Sequence, residues 1–453
     1  MWRLWCRSGC RRGLQLNPEE AALSASPGRD ATPRVLLVAH HQSYRVPAYQ
    51  TAAAALGVRL VVASQGRHSV IPEIADGLHV EFENVPEAVS RIVASASSES
   101  FDAVVACDDL TLEVATRAAA ALGLPHNPLS AVCAARRKDL ARDALRAAGL
   151  PVPRFRCLNL TQPLAAQISG LDYPCVIKPL AMAASRGVIR VDSADELQRM
   201  LPRAAAIVAD AVVPDERDRL LVESFLPGTE IAIEGLLSDG RLHLLAIFDK
   251  PEPLDGPFFE ESYYITPSRL PRALLTRALD RLTRACAAYG LREGPVHGEL
   301  RLHEGEAWVV EVAARTIGGD CARLLSFGAG RSLEELVLRH ALGWSLDLNP
   351  CGGAAGVLMI PTPGAGTLRR VEGVLAAQQV PGIDDLIIAV REGYELVPLP
   401  EGGTYLGFMF AHADTPEEVE SALREAHDCL NIVIAPSLPV VRPTYGRHFL
   451  APA

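Results

Sequence analysis

The sequence predicts an α/β protein in three parts: a parallel α/β domain over residues 34–128, a two-lobed α+β domain over 129–348 and an α+β domain over 349–453. Three observations predict this. Apolar runs at Val35–Ala39, Leu60–Ala63 and Ala103–Ala106 alternate with helix-like stretches, the mark of a parallel sheet with crossover helices. After Leu150-Pro151-Val152-Pro153 the pattern changes to longer alternating strands with few helices between them. Beyond Gly343, the breakers Leu348-Asn349-Pro350 and Gly352-Gly353 introduce short strands with Gly and Pro turns.

Taken in order, residues 1–33 are basic, then polar and rich in breakers, without the apolar core of a secretory signal, and read as an extension outside the fold. In the first domain His40, His41, Asp108 and Asp109 follow predicted strands, at the carboxyl ends where α/β sheets hold ligands; each alone also suits a loop or capping role. Leu129 to Gly149 reads as one helix stopped by glycine and Pro151. The lobe at about 150–225 contains a helix opened by the capping box Ser193/Glu196, and a late helix opens with Thr415, Pro416 and Glu418.

Composition narrows the function. A net charge of −10 argues against a nucleic-acid surface, which needs concentrated Lys and Arg. No stretch approaches the ~18 uninterrupted apolar residues of a membrane span. The ten cysteines are scattered without a zinc-type spacing and suit reduced thiols in a cytoplasmic protein.

The segment from Val296 to Arg315 carries the most chemistry. With a period of two, Val296, Gly298, Leu300, Leu302, Trp308, Val310 and Val312 form an apolar face, while His297, Glu299, Arg301, Val309, Glu311, Ala313 and Arg315 form the other. His303-Glu304-Gly305-Glu306 is the turn. A hairpin centred on Gly305 sets Glu299 opposite Glu311, with Cβ atoms ~4.5–5.5 Å apart. Two carboxylates that close repel unless a cation sits between them, and a hard divalent ion such as Mg2+ suits their oxygens. A solvent-facing strand decorated with charges is the plain alternative.

Other features supply phosphate and base contacts. Lys178 ends the apolar strand Cys175–Lys178, and the small-residue loop that follows, through Ser185, Arg186 and Gly187, can close over phosphates with backbone N–H groups. Glu223-Ser224-Phe225-Leu226 links two strands and can offer backbone groups to an adenine edge, with Glu230 in reach of ribose; a plain hairpin corner reads equally well. Lys138 lies in a basic helical stretch.

In this order, Lys138, Lys178 with its loop, Glu223 to Glu230, Glu299 and Glu311-x-x-x-Arg315 resemble the ATP-grasp superfamily. Gly294–Glu299, Arg315–Asp320 and the run from Asp249-Lys250-Pro251 through Glu260-Glu261 to Pro267-Ser268 are similar to its L-amino acid ligase branch. The resemblance implies an ATP-grasp fold whose central domain binds the nucleotide, and a carboxylate–amine ligase that works through an acyl phosphate on amino acids or similar small molecules. It implies that Lys138 and Lys178 contact ATP phosphates, that Glu223 and the backbone beside it meet adenine, and that Glu230 holds the ribose. It also implies that Glu299 and Glu311 bind Mg2+, with Mn2+ as its substitute, and that Arg315 stabilises developing negative charge. His297, on the Glu299 face, is the candidate for touching substrate or accepting the amine proton, with a structural histidine as the alternative. Homodimers are common in such families. One departure stands out: Ala313 replaces the metal-binding Asn of the common E-x-N-x-R pattern. Two other functions stay open: a bicarbonate-using carboxylase or carbamoyl-phosphate-type enzyme, and a nucleotide-binding subunit that has lost catalysis.

Overall fold

The computed structural model describes residues 32–41, 43–65, 76–348 and 352–436. The expected extension, apart from residues 32 and 33, and the expected boundary at Asn349-Pro350 lie outside them.

Strands β1 (Arg34–Val38), β2 (Arg59–Ser64), β3 (Asp76–His79) and β4 (Ala103–Ala106) form a parallel sheet in the order β3-β2-β1-β4. All of β1 is buried, as expected for a strand covered on both faces. The order reverses between β1 and β4, so the loops carrying His40 and Asp108 emerge side by side, and the His40 N–H meets Asp108 Oδ2 at 3.4 Å.

The expected single helix over 129–149 is two, Leu129–Arg136 and Lys138–Ala147, because Arg137 is extended at φ −108° and ψ 115°. The break frees the Lys138 N–H to donate to Leu180 O at 2.9 Å, which ties Lys138 to the loop after Lys178. Strands β5 (Phe155–Asn159), β6 (Cys175–Pro179), β7 (Ile189–Val191) and β8 (Arg219–Ser224) then make an antiparallel lobe in the order β5-β8-β6-β7. Its helix, Ala194–Val208, buries Leu197, Leu201 and Ala204 against Leu158, Ile177 and Val222. Ser193 caps this helix, but the Glu196 carboxylate takes the Asp192 N–H instead of the Ser193 N–H, so the box is half formed. The Thr415/Glu418 box is complete.

The remaining strands are β9 (Thr229–Ser238), β10 (Arg241–Lys250), β11 (Tyr263–Thr266), β12 (Gly294–His303), β13 (Glu306–Ala313), β14 (Ala354–Ile360), β15 (Gly366–Glu372), β16 (Ile383–Ile388), β17 (Glu395–Leu396), β18 (Gly407–Ala413) and β19 (Asn431–Ala435). Eight of them share one sheet, ordered β13-β12-β9-β10-β11-β14-β18-β16, so strands after residue 352 extend the central sheet. A small sheet, β17-β15-β19, lies apart from it.

Glu299 does pair with Glu311, but by a different route from the expected one. Near the turn, His303 faces Glu306 and Leu300 faces Val309, a register centred between Glu304 and Gly305; a bulge then shifts the pairing so that Glu299 faces Glu311. Val310 is the extra residue. The faces change accordingly: Ala307, Val309 and Val312 are in the core with Val296, Leu300 and Leu302, whereas Trp308 and Val310, expected there, are not. Strict alternation fails because a bulge places consecutive residues out of phase with the pleat.

Gly228, between β8 and β9, has φ +110°, and an added Cβ would sit 2.2 Å from Leu302 O. Gly228→Ala is expected to lower the unfolding free energy by about 1–3 kcal/mol, read as a lowered urea midpoint. An unchanged midpoint would show that this corner yields.

Candidate functional site

A cavity of about 780 Å3 opens between the lobe of β5–β8, the central sheet, the loops after β1 and β4, and the C-terminal strands. Its lining includes Lys138, Lys178, Ser185, Glu223, Ser224, Phe225, Leu226, Glu230, His297, Glu299, Glu311 and Arg315, so the structure brings together most of the residues picked out in the sequence. Arg186 and Gly187 do not line it. Arg186 donates to Glu401 O at 2.8 Å and Gly187 N–H to Pro400 O at 2.8 Å, so this end of the small-residue loop rests on the C-terminal loop. Arg203 holds the carboxylate of the same Glu401 whose backbone carbonyl Arg186 takes.

One part of the cavity wall is apolar. Val176, Leu254 and Phe259 form a cluster with Val188 and Phe225, contributed by both lobes. The corner at Ser224-Phe225 has less to offer a ligand than expected, because the Ser224 N–H binds Arg154 O at 2.9 Å and the Phe225 N–H binds Pro174 O at 3.0 Å. Arg301 braces this corner: it donates to Leu226 O at 2.6 Å and to Glu230 Oε2 at 2.9 Å.

Glu223 is the charge anchor of the lobe. Its carboxylate accepts from Arg142 Nε at 2.9 Å and pairs with Lys178 Nζ, all three groups being buried. Burial alone would raise its pKa, but Arg142 and Lys178 bring it down to about 2. Its oxygens thus hold two cations and leave base contact to neighbouring groups. Burial lowers the pKa of Lys178, with Glu223 opposing.

The opposed carboxylates are each met by a lysine. Lys138 Nζ lies 3.1 Å from Glu311 Oε2 and also donates to Met182 O at 3.1 Å. Lys250 Nζ sits among three carboxylates, 2.7 Å from Glu230, 2.9 Å from Glu261 and 3.0 Å from Glu299. Burial would lower the pKa of Lys250, yet the three acids raise it well above the ordinary value. Among the described residues Glu230, Glu261 and Glu299 are the group whose oxygens come within 4.8 Å of one another. The Glu299 and Glu311 pair offers hard oxygens of the kind that Mg2+ takes, with Lys138 and Lys250 beside it. Ala313 is buried opposite His297 and offers no ligand atom.

His297 lies between two carboxylates. Nδ1 lies 3.0 Å from Glu234 Oε2 and Nε2 lies 3.6 Å from Glu299 Oε1. Burial pulls its pKa down, but the two carboxylates overcome this and raise it to about 9. Glu234 in turn accepts the Ile317 N–H at 3.1 Å, and Arg45 clamps Thr316 and Ile317 from the other side. These contacts hold Arg315 in place, with Nε donating to Asp109 Oδ2 at 2.8 Å.

Sequence reasoning gave no role to Arg142, Lys250, Glu261, Glu234 or Arg45. A signal existed for some of them. Glu230 and Glu234 share a strand face by period two, and Lys250 ends a strand as Lys178 nearly does. Arg142 carries no such signal, since only the packing of its helix on the Leu129–Arg136 and Arg272–Tyr289 helices aims it at Glu223.

Fold and site together define a two-lobed, cation-lined cleft suited to a nucleoside polyphosphate. A model of the ATP-grasp domain matches residues 171–323, one of the ATP-grasp N-terminal domain matches 49–126, and one of the L-amino acid ligase C-terminal domain 2 matches 358–435. The chain is 30% identical over 236 residues to the D-alanine--D-alanine ligase of Desulforudis audaxviator, covering 48% of this chain and 71% of that protein. It is 27% identical over 277 residues to the alanine--anticapsin ligase of Bacillus subtilis (strain 168), covering 57% of this chain and 58% of that protein. It thus spans less than two thirds of the length of that relative. The solved L-amino acid ligase from Bacillus licheniformis superposes with a TM-score of 0.74 at 28% identity, over 90% of this chain and all of that one. The chain belongs to the ATP-grasp superfamily. Within it, the C-terminal match and the Bacillus licheniformis structure place its likeness with the L-amino acid ligases.

Glu223→Gln leaves Arg142 and Lys178 buried without their counter-charge and is expected to cost about 3–5 kcal/mol near neutral pH. The stabilisation from this depressed pKa is fully present above about 4.5 and is lost as pH falls through about 2. The stability gap between wild type and variant, measured by urea titration, should therefore narrow across that acid range. A gap independent of pH would refute the assignment.

Proposed function

We propose that the chain is an ATP-dependent carboxylate–amine ligase that joins two small molecules of the amino-acid class through an acyl phosphate, releasing ADP and phosphate. The observation that carries this is the direct pairing of Glu299 with Glu311 at the wall of a cavity that also holds Lys138, Lys178 and Arg315. The names of the relatives, ligases that include alanine--anticapsin ligase and D-alanine--D-alanine ligase, support it.

A carboxylate and an ammonium ion do not condense in water, because the first is a poor electrophile and the second lacks a free electron pair. Glu299 and Glu311 would hold Mg2+, which when bound supplies positive charge beside the phosphate chain. Lys138 and Lys178 would exchange their carboxylate partners for phosphate oxygens. The γ-phosphoryl group passes from ATP to the substrate carboxylate, leaving ADP. The ammonium first gives one proton to water; the free amine then attacks the acyl carbon, phosphate departs with the bonding electrons, and the second proton lost by nitrogen passes to that phosphate. Arg315, fixed by Asp109 and the Thr316 carbonyl, is placed to steady the oxyanion. His297, charged between Glu234 and Glu299, orients Glu299. The small-residue loop at 181–187 shields the acyl phosphate from water. With Ala313 in place of an Asn, we assign one fully coordinated metal.

An ADP-release screen over amino-acid pairs, with product masses, tests this. A product mass equal to both substrates less water is expected, whereas turnover dependent on bicarbonate alone would establish a carboxylase or carbamoyl-phosphate-type reaction. Glu311→Gln is expected to reduce substrate-dependent ADP release at least about a hundredfold. Turnover within a few-fold of wild type would sink the assignment of Glu311, and no turnover by the wild type despite ATP binding would favour a lapsed subunit.

A further inference from the structure

One face of the eight-stranded sheet floors the whole cavity, and its chemistry changes from one end to the other. At the β13 end the lining residues are Glu311, Glu299 and Glu230, on three successive strands, with Lys250 of the next strand buried against Glu230 and Glu299. Register carries the same face onward: Tyr264 pairs with Val357, Met359 with Phe408, and Phe408 with Ile387. Met359, Phe408, Ile387 and the neighbouring Ala389 all line the cavity, and Tyr405 flanks them with its ring 6.3 Å from that of Phe408. The far end of the floor is therefore apolar. Gly319 covers it from Arg315's loop, where a Cβ would come within 3.1 Å of Met359 Sδ and 3.4 Å of Phe408 Cε1.

Resting on the ligase reading, we infer that one of the two joined molecules is an amino acid with an apolar side chain, seated on Met359, Ile387, Ala389 and Phe408. Its charged end then points along the floor toward Arg315, while its side chain leaves the carboxylate-rich half. A charged or amide side chain laid on these four residues would exchange water for apolar atoms, which disfavours it. An added hydrocarbon group would find apolar atoms to touch. Ala389, with its small methyl, leaves the end of the alcove open to a longer side chain.

The test measures kcat/KM for ADP release with one partner fixed and the other varied through alanine, valine, leucine, phenylalanine, serine, glutamate and lysine. Leucine or phenylalanine is expected to exceed glutamate and lysine by a hundredfold or more. Ala389→Leu is expected to lower the leucine-to-alanine ratio about tenfold, in line with a few methylene contacts. ATP affinity, measured by calorimetry on the same variant, reports whether the nucleotide half is intact. Ile387→Ala, which enlarges the alcove instead, is expected to move the ratio toward larger side chains. ADP release with equal or better rates for charged side chains, or an unchanged ratio in both variants, overturns this inference and leaves the ligase reading intact. ADP release with no amino acid at all overturns the ligase reading itself.

Discussion

The site depends on neutralising a row of acids placed on one face of a sheet. Glu230, Glu299 and Glu311 crowd a partly buried wall, where an isolated carboxylate is costly. Lys250 and Lys138 offset this by lying within about 3 Å of them. His297 extends the pattern to Glu234, which holds the loop carrying Arg315. The protein therefore holds the acids in place by means of its own cations, and under the proposed function a metal ion and a polyphosphate enter as an exchange of charges.

The same principle organises the lobe of β5–β8. Arg142 reaches from a helix of the central domain to Glu223 of the lobe, and also to Val310 O at 2.8 Å on the hairpin. One guanidinium thus ties the lobe to the strand that carries Glu311. On the other side, Arg186 and Arg203 tie the lobe to Glu401 of the C-terminal region. Between lobe and central sheet, Phe225 and Val188 meet Leu254 and Phe259 in one apolar cluster.

Much of this was legible from the chain itself, for definable reasons. Strand–helix alternation betrayed the first sheet, and the pairing of Glu299 with Glu311 could be guessed because the apolar residues of β12 fix its face. Local pattern misled wherever backbone geometry broke the period. Arg137 interrupts what reads as one helix with an extended conformation, and the next residue, Lys138, gives its N–H to Leu180 O, distant in sequence. Trp308 and Val310 were assigned to the core because a bulge leaves no mark in composition. Lys250 and Arg142 escaped because their roles come from what other strands bring to them. That the strands after residue 352 extend the central sheet is a tertiary choice of the same kind.

The bulge at Val310 separates two kinds of change that sequence divergence can bring to this hairpin. The hydrophobicity or size of residue 310 matters little to register, since it lies outside the ladder that the neighbouring residues form. Whether it stays out of the ladder matters greatly. Were Val310 to pair opposite Glu299 in the register that the turn sets, Glu311 would fall opposite Gly298, on the side of the sheet that packs against the Arg272–Tyr289 helix. The position thus tolerates replacement but not incorporation into the ladder, so where the bulge falls between the turn and Glu311 says more about a homologue's competence than the letter found there.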